Sequence, residues 1–386
     1  MKKPICFLLT FLLCVGLTCP FAFAENESPV TVKAKAYVLM DASTGEVLLK
    51  RNEHQKLFPA SVTKIMPLLL VMEAIDSGKL DLNEKVTASP EAAAKGGSQI
   101  WLKDGETMTV NELLKAAVIS SANDACTALS ERIAGSEEGI VKMMNDRAKE
   151  LGMNDTHFVN CTGLDDDTDE HLTSAYDIAL MSKELLSHER IREYTTIWMD
   201  SLRNGATQLV NTNKLVRFYK GTTGLKTGTT AKAGHCVSAS AERNGLHLIA
   251  VVMGSDNSTD RFEGAKALLN YGFANYKTVT PGYDKTLITP VKMIKGSTGS
   301  LIPEVGTILP ITVKAGEESK IEANVEIATD VEAPVEKGQK LGSITFKLNG
   351  TTLAEYPLTA KEEVAKLTVF EMMRRLLSSL SVRAQQ

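Results

Sequence analysis

The segment FPASVTKIMPLLLVMEAIDSG, residues 58–78, runs from a loop into an apolar helical stretch. Its pattern predicts a helix over 61–77 that ends before Gly78. Ser61 then lies in the first turn, where unpaired N–H groups favour negative charge, and Lys64 shares its face. A buried lysine beside a serine can lose its proton and act as a base, because desolvation lowers its pKa. Taken alone, the motif is more typical of a helix-capping serine and a solvated lysine than of a catalytic pair.

A second polar group, ISSANDA at residues 119–125, interrupts a helical pattern that spans 110–134. Serine, asparagine and aspartate are poor interior helix residues, because their side chains compete for backbone hydrogen bonds. The interruption predicts a kink or helix junction that directs Ser121 and Asn123 into a cleft. A short connector between two helices is the structural alternative, and the two interpretations are compatible.

A third motif, GLKTGT at residues 224–229, directly precedes a predicted β-hairpin. At a strand edge, Lys226 and Thr227 offer a cation and a hydroxyl to a carboxylate. Gly228 has no side chain, so a substrate backbone can approach closely.

In this order the three motifs resemble those of the low-molecular-mass penicillin-binding proteins that are D-alanyl-D-alanine carboxypeptidases, peptidase family S11. The resemblance extends over nearly the whole chain after residue 24. It implies that Ser61 attacks the peptide bond between two D-alanines, with Lys64 as base and Ser121 as proton relay. It further implies that no cofactor or metal is needed, and that the substrate is held by Asn123, Lys226, Thr227 and Gly228, with an oxyanion hole formed by the N–H groups of Ser61 and Thr229.

Two further residues match the family only locally. Asp177 falls on an acidic position in a stretch similar to the family's Ω-loop region, and Arg261 falls on an arginine implicated near the substrate carboxylate. Both are also ordinary surface residue types. Two departures affect the interpretation: Thr229 stands where some members have histidine, and Pro67 can kink the helix that carries Lys64.

The fold class predicted is α/β (α+β), a serine β-lactamase/transpeptidase-like catalytic domain with an antiparallel sheet and helices around it. Strand-like runs joined by turn signals predict two hairpins, at 36–40 with 47–49 and at 237–241 with 246–253. Between them, helical spacing is found at 140–151, 174–186 and 265–271. From residue 278 short β-branched runs predict a small all-β domain, with strands at 287–289, 309–313, 321–327 and 344–348.

The two ends of the chain suggest export and membrane contact. Residues 1–24 have the charged start, apolar core and Ala-Phe-Ala ending of a signal peptide; a membrane anchor is the alternative, but the run is short of about 20 apolar residues. At the other end, apolar residues recur at steps of three and four, which is typical of an amphipathic helix. They are Val364, Leu367, Phe370, Met373, Leu377 and Leu380. This helix could pack on the protein, pair with a partner helix or lie in a membrane interface, and we favour the interface.

These patterns predict four parts: a signal peptide (1–24), the catalytic domain (25–277), the all-β domain (278–360) and a C-terminal amphipathic helix (361–386). The protein is expected at the extracytoplasmic face of the cytoplasmic membrane, held peripherally by its tail, or secreted to the cell wall. Its expected partners are peptidoglycan stem peptides, β-lactams as covalent inhibitors and the membrane surface. Nucleic acid is not expected, because the net charge is −4.

The cysteines and histidines show no metal-binding spacing. After residue 24 the chain keeps Cys126, Cys161 and Cys236, which predicts buried free thiols or one disulfide.

Three other functions share these motifs. A β-lactamase uses the same set, but such enzymes usually lack the β-domain and tail. A D,D-endopeptidase and a non-catalytic penicillin-binding wall protein remain open at this stage.

Overall fold

The computed structural model describes residues 29–165 and 167–374. It divides the chain into a short unit, Met1–Thr31, and a large unit, Val32–Gln386. Of the short unit only residues 29–31 are described, so the predicted signal peptide lies outside the described residues. The following account is of the large unit.

A five-stranded antiparallel sheet forms the centre of the catalytic region, in the order β2-β1-β9-β8-β7. Every residue of its central strand β9 is buried, as expected for a strand covered on both faces. Both predicted hairpins are confirmed. The β8–β9 turn places Asn244 and Gly245 at φ 52° and 81°, the left-handed conformation that an Asn-Gly turn supplies. The strands are β1 (Ala36–Asp41), β2 (Val47–Arg51), β7 (Thr222–Thr230), β8 (Gly234–Arg243) and β9 (Leu246–Ser255).

Helices surround this sheet, and two small hairpins lie among them. Helices α6 and α9 pack on strand β9, while α1 is buried over most of its length. The helices are α1 (Ile65–Asp76), α2 (Pro90–Ala93), α3 (Val110–Ile119), α4 (Asn123–Ala134), α5 (Glu137–Glu150), α6 (Ala175–Ser187), α7 (Arg192–Thr195), α8 (Leu215–Phe218) and α9 (Ser258–Asn275). The small hairpins pair β3 (Lys85–Thr87) with β4 (Thr107–Thr109), and β5 (Met199–Leu202) with β6 (Thr207–Val210).

Two of the predicted helices differ in detail from the structure. The 61–77 helix begins as a 3₁₀ turn, Ala60–Lys64, and becomes α-helical only at Ile65. Pro67 is therefore the third α-helical residue, where a missing N–H costs no intrahelical bond. The 110–134 pattern is two helices, because Ser120, Ser121 and Ala122 between α3 and α4 are not helical.

The region after α9 is all-β, as predicted. Its largest sheet has the order β13-β18-β17-β15, and Asn349-Gly350 forms the β17–β18 turn. The strand predicted at 287–289 is wrong: Lys285–Leu287 is a 3₁₀ turn, because the Asp284 carboxylate accepts the Thr286 N–H. The strands are β10 (Tyr276–Val279), β11 (Val291–Ile294), β12 (Ser300–Leu301), β13 (Glu304–Val305), β14 (Ile311–Lys314), β15 (Ile321–Ile327), β16 (Asp330–Glu332), β17 (Lys340–Leu348) and β18 (Thr351–Thr359).

The predicted C-terminal helix starts later than residue 361. Val364 is 1% exposed in the core of the β region and pairs with Val335, so its apolar character reflects packing on the protein. Helical residues begin at Val369 and continue to residue 374. The rest of the predicted helix, 375–386, lies outside the described residues. The described residues contain no helix that is both long and apolar enough to cross a membrane.

Candidate active site

Ser61 and Lys64 meet within the 3₁₀ turn that precedes α1. The Lys64 Nζ donates hydrogen bonds to the Ser61 Oγ (2.8 Å) and to the backbone oxygen of Thr162 (2.9 Å). The lysine is fully buried, and this burial lowers its pKa to about 8, although Cys126, Cys161 and Asp124 nearby oppose the shift. A substantial fraction of the amine is therefore neutral in mildly alkaline solution and able to accept the serine proton.

Ser121 lies at the junction between α3 and α4 and faces a second buried lysine. Its φ of 64° is left-handed, a conformation that costs a non-glycine residue energy and is frequent at functional sites. The Lys226 Nζ of β7 donates to the Ser121 Oγ (2.7 Å) and to the Thr227 carbonyl oxygen (3.0 Å). Burial, with the positive charge of Lys64 next, lowers the Lys226 pKa well below its usual range. Each buried lysine therefore hydrogen-bonds to one serine: Lys64 to Ser61, and Lys226 to Ser121.

Strand β7 is an edge strand of the sheet and packs against the 3₁₀ turn that carries Ser61. A Cβ added to Gly228 would lie 2.6 Å from the Pro59 oxygen and 2.9 Å from the Ser61 nitrogen. Only glycine fits this approach without movement of the backbone. On the same strand, the Thr227 Oγ1 donates to the Thr212 Oγ1 at 2.8 Å.

Asn123 begins α4 with an acceptor that the protein leaves unused. Its Nδ2 donates to the Gly96 oxygen at 2.7 Å, whereas its Oδ1 is buried and has no hydrogen-bond partner among the described residues. Buried acceptors are normally paired. An amide N–H of a bound substrate could fill this position.

Arg261 lies on α9 and hydrogen-bonds to strand β7. Its Nη1 donates to the Gly228 oxygen (2.9 Å), the Thr229 Oγ1 (3.0 Å) and the Cys236 oxygen (3.2 Å). Only 7% of the arginine is exposed. Its contacts therefore hold the strand that carries the Lys-Thr-Gly motif.

Asp177 has a structural environment in the first turn of α6. Its carboxylate accepts the Asp155 N–H (2.8 Å) and the Thr156 hydroxyl (2.7 Å). These bonds fix the loop before α6, and none of them reaches Ser61 or Lys64.

Thr162 and Thr212 join the site although the motifs do not contain them. Thr162 contributes a backbone carbonyl, for which the sequence has no signal, and Thr212 precedes α8 in a stretch without a recognisable motif. The three thiols Cys126, Cys161 and Cys236 are free and buried, which confirms the free-thiol alternative. No group of three or more His, Cys, Asp or Glu side chains in the described parts of the chain could hold a metal ion.

Comparisons with known proteins cover most of the chain. A family model described as D-alanyl-D-alanine carboxypeptidase matches residues 23–257, and one described as the C-terminal domain of penicillin-binding protein 5 matches residues 276–366. D-alanyl-D-alanine carboxypeptidase DacF of Bacillus subtilis is 42% identical over 369 residues, which are 93% of this chain and 94% of the relative.

Solved structures are similar in fold as well. Penicillin binding protein 5 from Haemophilus influenzae has a TM-score of 0.75 at 29% identity, covering 88% of this chain and 99% of that one. Penicillin-Binding Protein D2 from Listeria monocytogenes, solved in an ampicillin-bound form, has a TM-score of 0.55 at 33% identity, covering 63% of this chain and 98% of that one.

Proposed function

Since this chain belongs to the D-alanyl-D-alanine carboxypeptidase family, we propose that its Ser61 hydroxyl attacks the carbonyl between two terminal D-alanines, with Lys64 as general base. The reaction is that of a serine D-Ala-D-Ala carboxypeptidase of the penicillin-binding type. Its substrate is the peptidoglycan stem peptide, and β-lactams bind at the same site. The observation that carries the assignment of residues is the 2.8 Å hydrogen bond between a fully buried lysine and the serine.

Acylation begins with proton transfer from Ser61 to neutral Lys64. The Oγ then bonds to the substrate carbonyl carbon, and negative charge develops on the carbonyl oxygen. The N–H groups of Ser61 and Thr229 stabilise this oxyanion; a preorganised donor of this kind lowers a barrier by about 3–4 kcal/mol. Gly228 supports the assignment, because it lets β7 approach the Ser61 nitrogen.

The leaving D-alanine needs a proton on its amine. Ser121 accepts a hydrogen bond from Lys226, so its own hydroxyl hydrogen is free to be donated elsewhere. We assign it the relay that returns the Lys64 proton to the leaving nitrogen. The C–N bond breaks, free D-alanine departs and Ser61 remains as an ester. Water then attacks the ester carbonyl while Lys64 takes one proton from the water. The bond between the Ser61 Oγ and the acyl carbon breaks, Lys64 returns the proton to Oγ, and the shortened peptide leaves with a new terminal carboxyl group.

Substrate binding is assigned to four further groups. The unused Oδ1 of Asn123 accepts the amide N–H on the acyl side. Lys226 and Thr227 bind the terminal carboxylate. We assign Arg261 a positioning role through β7, since its guanidinium bonds to that strand, and we give Asp177 a structural role in the loop before α6.

The activity test uses two serine variants. Ser61→Ala should abolish both covalent labelling by penicillin, measured by intact mass, and release of D-alanine from a pentapeptide. Ser77→Ala is the matched control, because Ser77 is exposed at the end of α1 and its hydroxyl bonds only locally. Persistent D-alanine release from the Ser61 variant would refute the mechanism. Rapid penicillin turnover without D-alanine release would identify a β-lactamase instead.

The family acts on peptidoglycan and is therefore extracytoplasmic. We further propose that residues 1–24 are a cleaved signal peptide and that the tail binds the membrane surface peripherally. The described part of the tail supports this, because Val369, Phe370 and Met373 are 78%, 78% and 57% exposed. The domain limit at 277/278 also stays a prediction, whereas the described helix of the tail begins at Val369 and not at residue 361. N-terminal sequencing of the exported protein tests the cleavage site, with Glu25 as the expected first residue.

A further inference from the structure

An exposed tryptophan with left-handed backbone lies in the loop that is hydrogen-bonded to Asn123 and Asp124 of the Ser-x-Asn segment. Trp101 is 74% exposed and has a φ of 60°. A large apolar side chain that stays exposed forgoes the favourable free energy of leaving water, and left-handed backbone is unfavourable for bulky residues. Strain of this kind persists only where the surroundings impose it.

Hydrogen bonds to the residues on either side of Trp101 hold its backbone in the left-handed conformation. The buried Asp124 carboxylate accepts the N–H groups of both neighbours, Ile100 (3.1 Å) and Leu102 (3.0 Å). Those two side chains are 2% and 5% exposed, so they anchor the segment on either side. From the opposite direction the Arg203 Nη1 donates to the Ile100 oxygen at 2.8 Å. The indole is consequently presented to solvent from a fixed backbone.

The same contacts tie this indole to the catalytic groove. Asp124 directly follows Asn123, whose backbone N–H donates to the Ser98 oxygen at 2.6 Å. Trp101 is three residues beyond Ser98, so their Cα atoms are at most about 11 Å apart. The backbone that carries Trp101 is therefore anchored beside Asn123, the residue assigned to the acyl side of the substrate.

We propose that Trp101 is a substrate-binding platform for the peptide residue that immediately precedes the two D-alanines. This inference rests on the proposed function. That residue is one position, about 3.5 Å along an extended chain, from the acylated D-alanine. A long alkyl or alkylammonium side chain there packs on the indole face by apolar and cation–π contact. Sugars of the glycan chain attach further along the peptide and are not the assigned occupant.

The first experiment is a double-mutant cycle between enzyme and substrate. Wild type, Trp101→Ala and Trp101→Phe are assayed for kcat/KM of D-alanine release from Ala-Glu-Lys-D-Ala-D-Ala and from the same peptide with glycine replacing lysine. We expect Trp101→Ala to lose about fivefold or more activity on the lysine peptide beyond its loss on the glycine peptide, and phenylalanine to restore most of it. Equal losses on both peptides would mean that Trp101 acts only through the fold, and would overturn the proposal.

A second measurement reads binding directly. The chain has two tryptophans, so Ser61→Ala combined with Trp198→Phe leaves Trp101 as the sole tryptophan emitter. Trp198 is half-buried against Phe218 and lies outside the assigned site, so its substitution should leave peptide binding unchanged. Titration with the lysine peptide should shift or quench the emission, and the glycine peptide should do so less. A response only to disaccharide-linked peptide would assign the platform to glycan and contradict the proposal.

Penicillin labelling separates the two hypotheses. Suppose that the wild type is labelled at Ser61 and releases D-alanine, but the double-mutant cycle shows no coupling between Trp101 and the lysine side chain. Then only the proposal for Trp101 is refuted. If Ser61→Ala still releases D-alanine, the proposed function fails whatever Trp101 does.

Discussion

At the scale of single residues, we expect Lys64 to set the pH dependence of acylation. Its pKa is lowered by burial to about 8, and only its neutral form accepts the serine proton. The second-order rate of acylation by penicillin should therefore rise about tenfold from pH 7 to pH 9 and then level off. Stopped-flow or quenched mass-spectrometric rates would measure it. Lys64→Arg, which stays charged, is the control and should be inactive throughout; a flat profile for the wild type would exclude Lys64 as the base.

A substitution at Gly228 tests whether acylation requires the close approach of β7 to the turn that carries Ser61. Gly228→Ala places a Cβ 2.6 Å from the Pro59 oxygen and 2.9 Å from the Ser61 nitrogen, so the strand or the turn must move. We expect penicillin acylation to slow about a hundredfold, because small displacements of catalytic groups cost this much. Gly282→Ala is the control, since nothing lies within 4 Å of its added Cβ. Similar acylation rates in the two variants would contradict the close-approach argument.

Which site residues the sequence could reveal depends on the atoms they use. Ser61, Lys64, Ser121 and Lys226 act through side chains at motif spacing, so the motifs identify them. Thr162 acts through a backbone oxygen, which any residue type supplies. Arg261 could be matched to the family locally. Its hydrogen bond to the Gly228 oxygen could not be predicted, because it depends on how α9 packs on the sheet.

At the scale of elements, the buried Asp124 joins the loop before β4 to helix α4. Asp124→Ala would leave the Ile100, Leu102 and Ala125 N–H groups without their acceptor. We expect a loss of about 2–5 kcal/mol in the free energy of unfolding, measured with urea. In the control Asp81→Ala, the lost acceptor serves one exposed turn N–H, and about 1 kcal/mol or less is expected. A loss no larger for Asp124 than for Asp81 would contradict this anchoring role.

Local patterns predicted most elements but not how they end. The Asn244-Gly245 pair predicted the turn between β8 and β9, because few residues adopt left-handed backbone at low cost. The polar side chains of Ser120, Ser121, Asn123 and Asp124 correctly indicated a helix junction. The predicted strand at 287–289 failed because the Asp284 side chain captures a backbone N–H and closes a turn that β-branched composition does not reveal. The 3₁₀ turn at Ala60–Lys64 was likewise not predicted, since a helical pattern does not distinguish the two helix types.

At the scale of the whole molecule, composition alone separated the catalytic and all-β regions, because strand signals without helical spacing dominate after residue 278. The tail was harder to interpret. Val364 and Leu367 fit a helical repeat, yet Val364 belongs to the β-region core and the Leu367 N–H donates to the Lys295 oxygen. An apolar period cannot distinguish packing on the protein from packing on a membrane.

This packing determines where the tail must be cut to test membrane binding. Truncation after Thr368 keeps the contacts of Val364 and Leu367, so the β region stays intact, and removes the exposed Val369 and Phe370 with everything after them. In sedimentation with anionic phospholipid vesicles, the chain from Glu25 to the C-terminus should pellet and the truncated chain should not, because both apolar area and basic residues are lost.

Point substitutions separate the tail from general surface hydrophobicity. Phe370→Asp should weaken vesicle binding about tenfold, since a buried aromatic contributes more than 1.4 kcal/mol to association with an apolar phase. Leu309→Asp is the control, because Leu309 is 60% exposed in the all-β region, away from the tail in sequence. Equal binding of the full and truncated chains would place the attachment elsewhere. Equal weakening by both substitutions would mean that any exposed apolar residue suffices and that the tail is not a specific anchor.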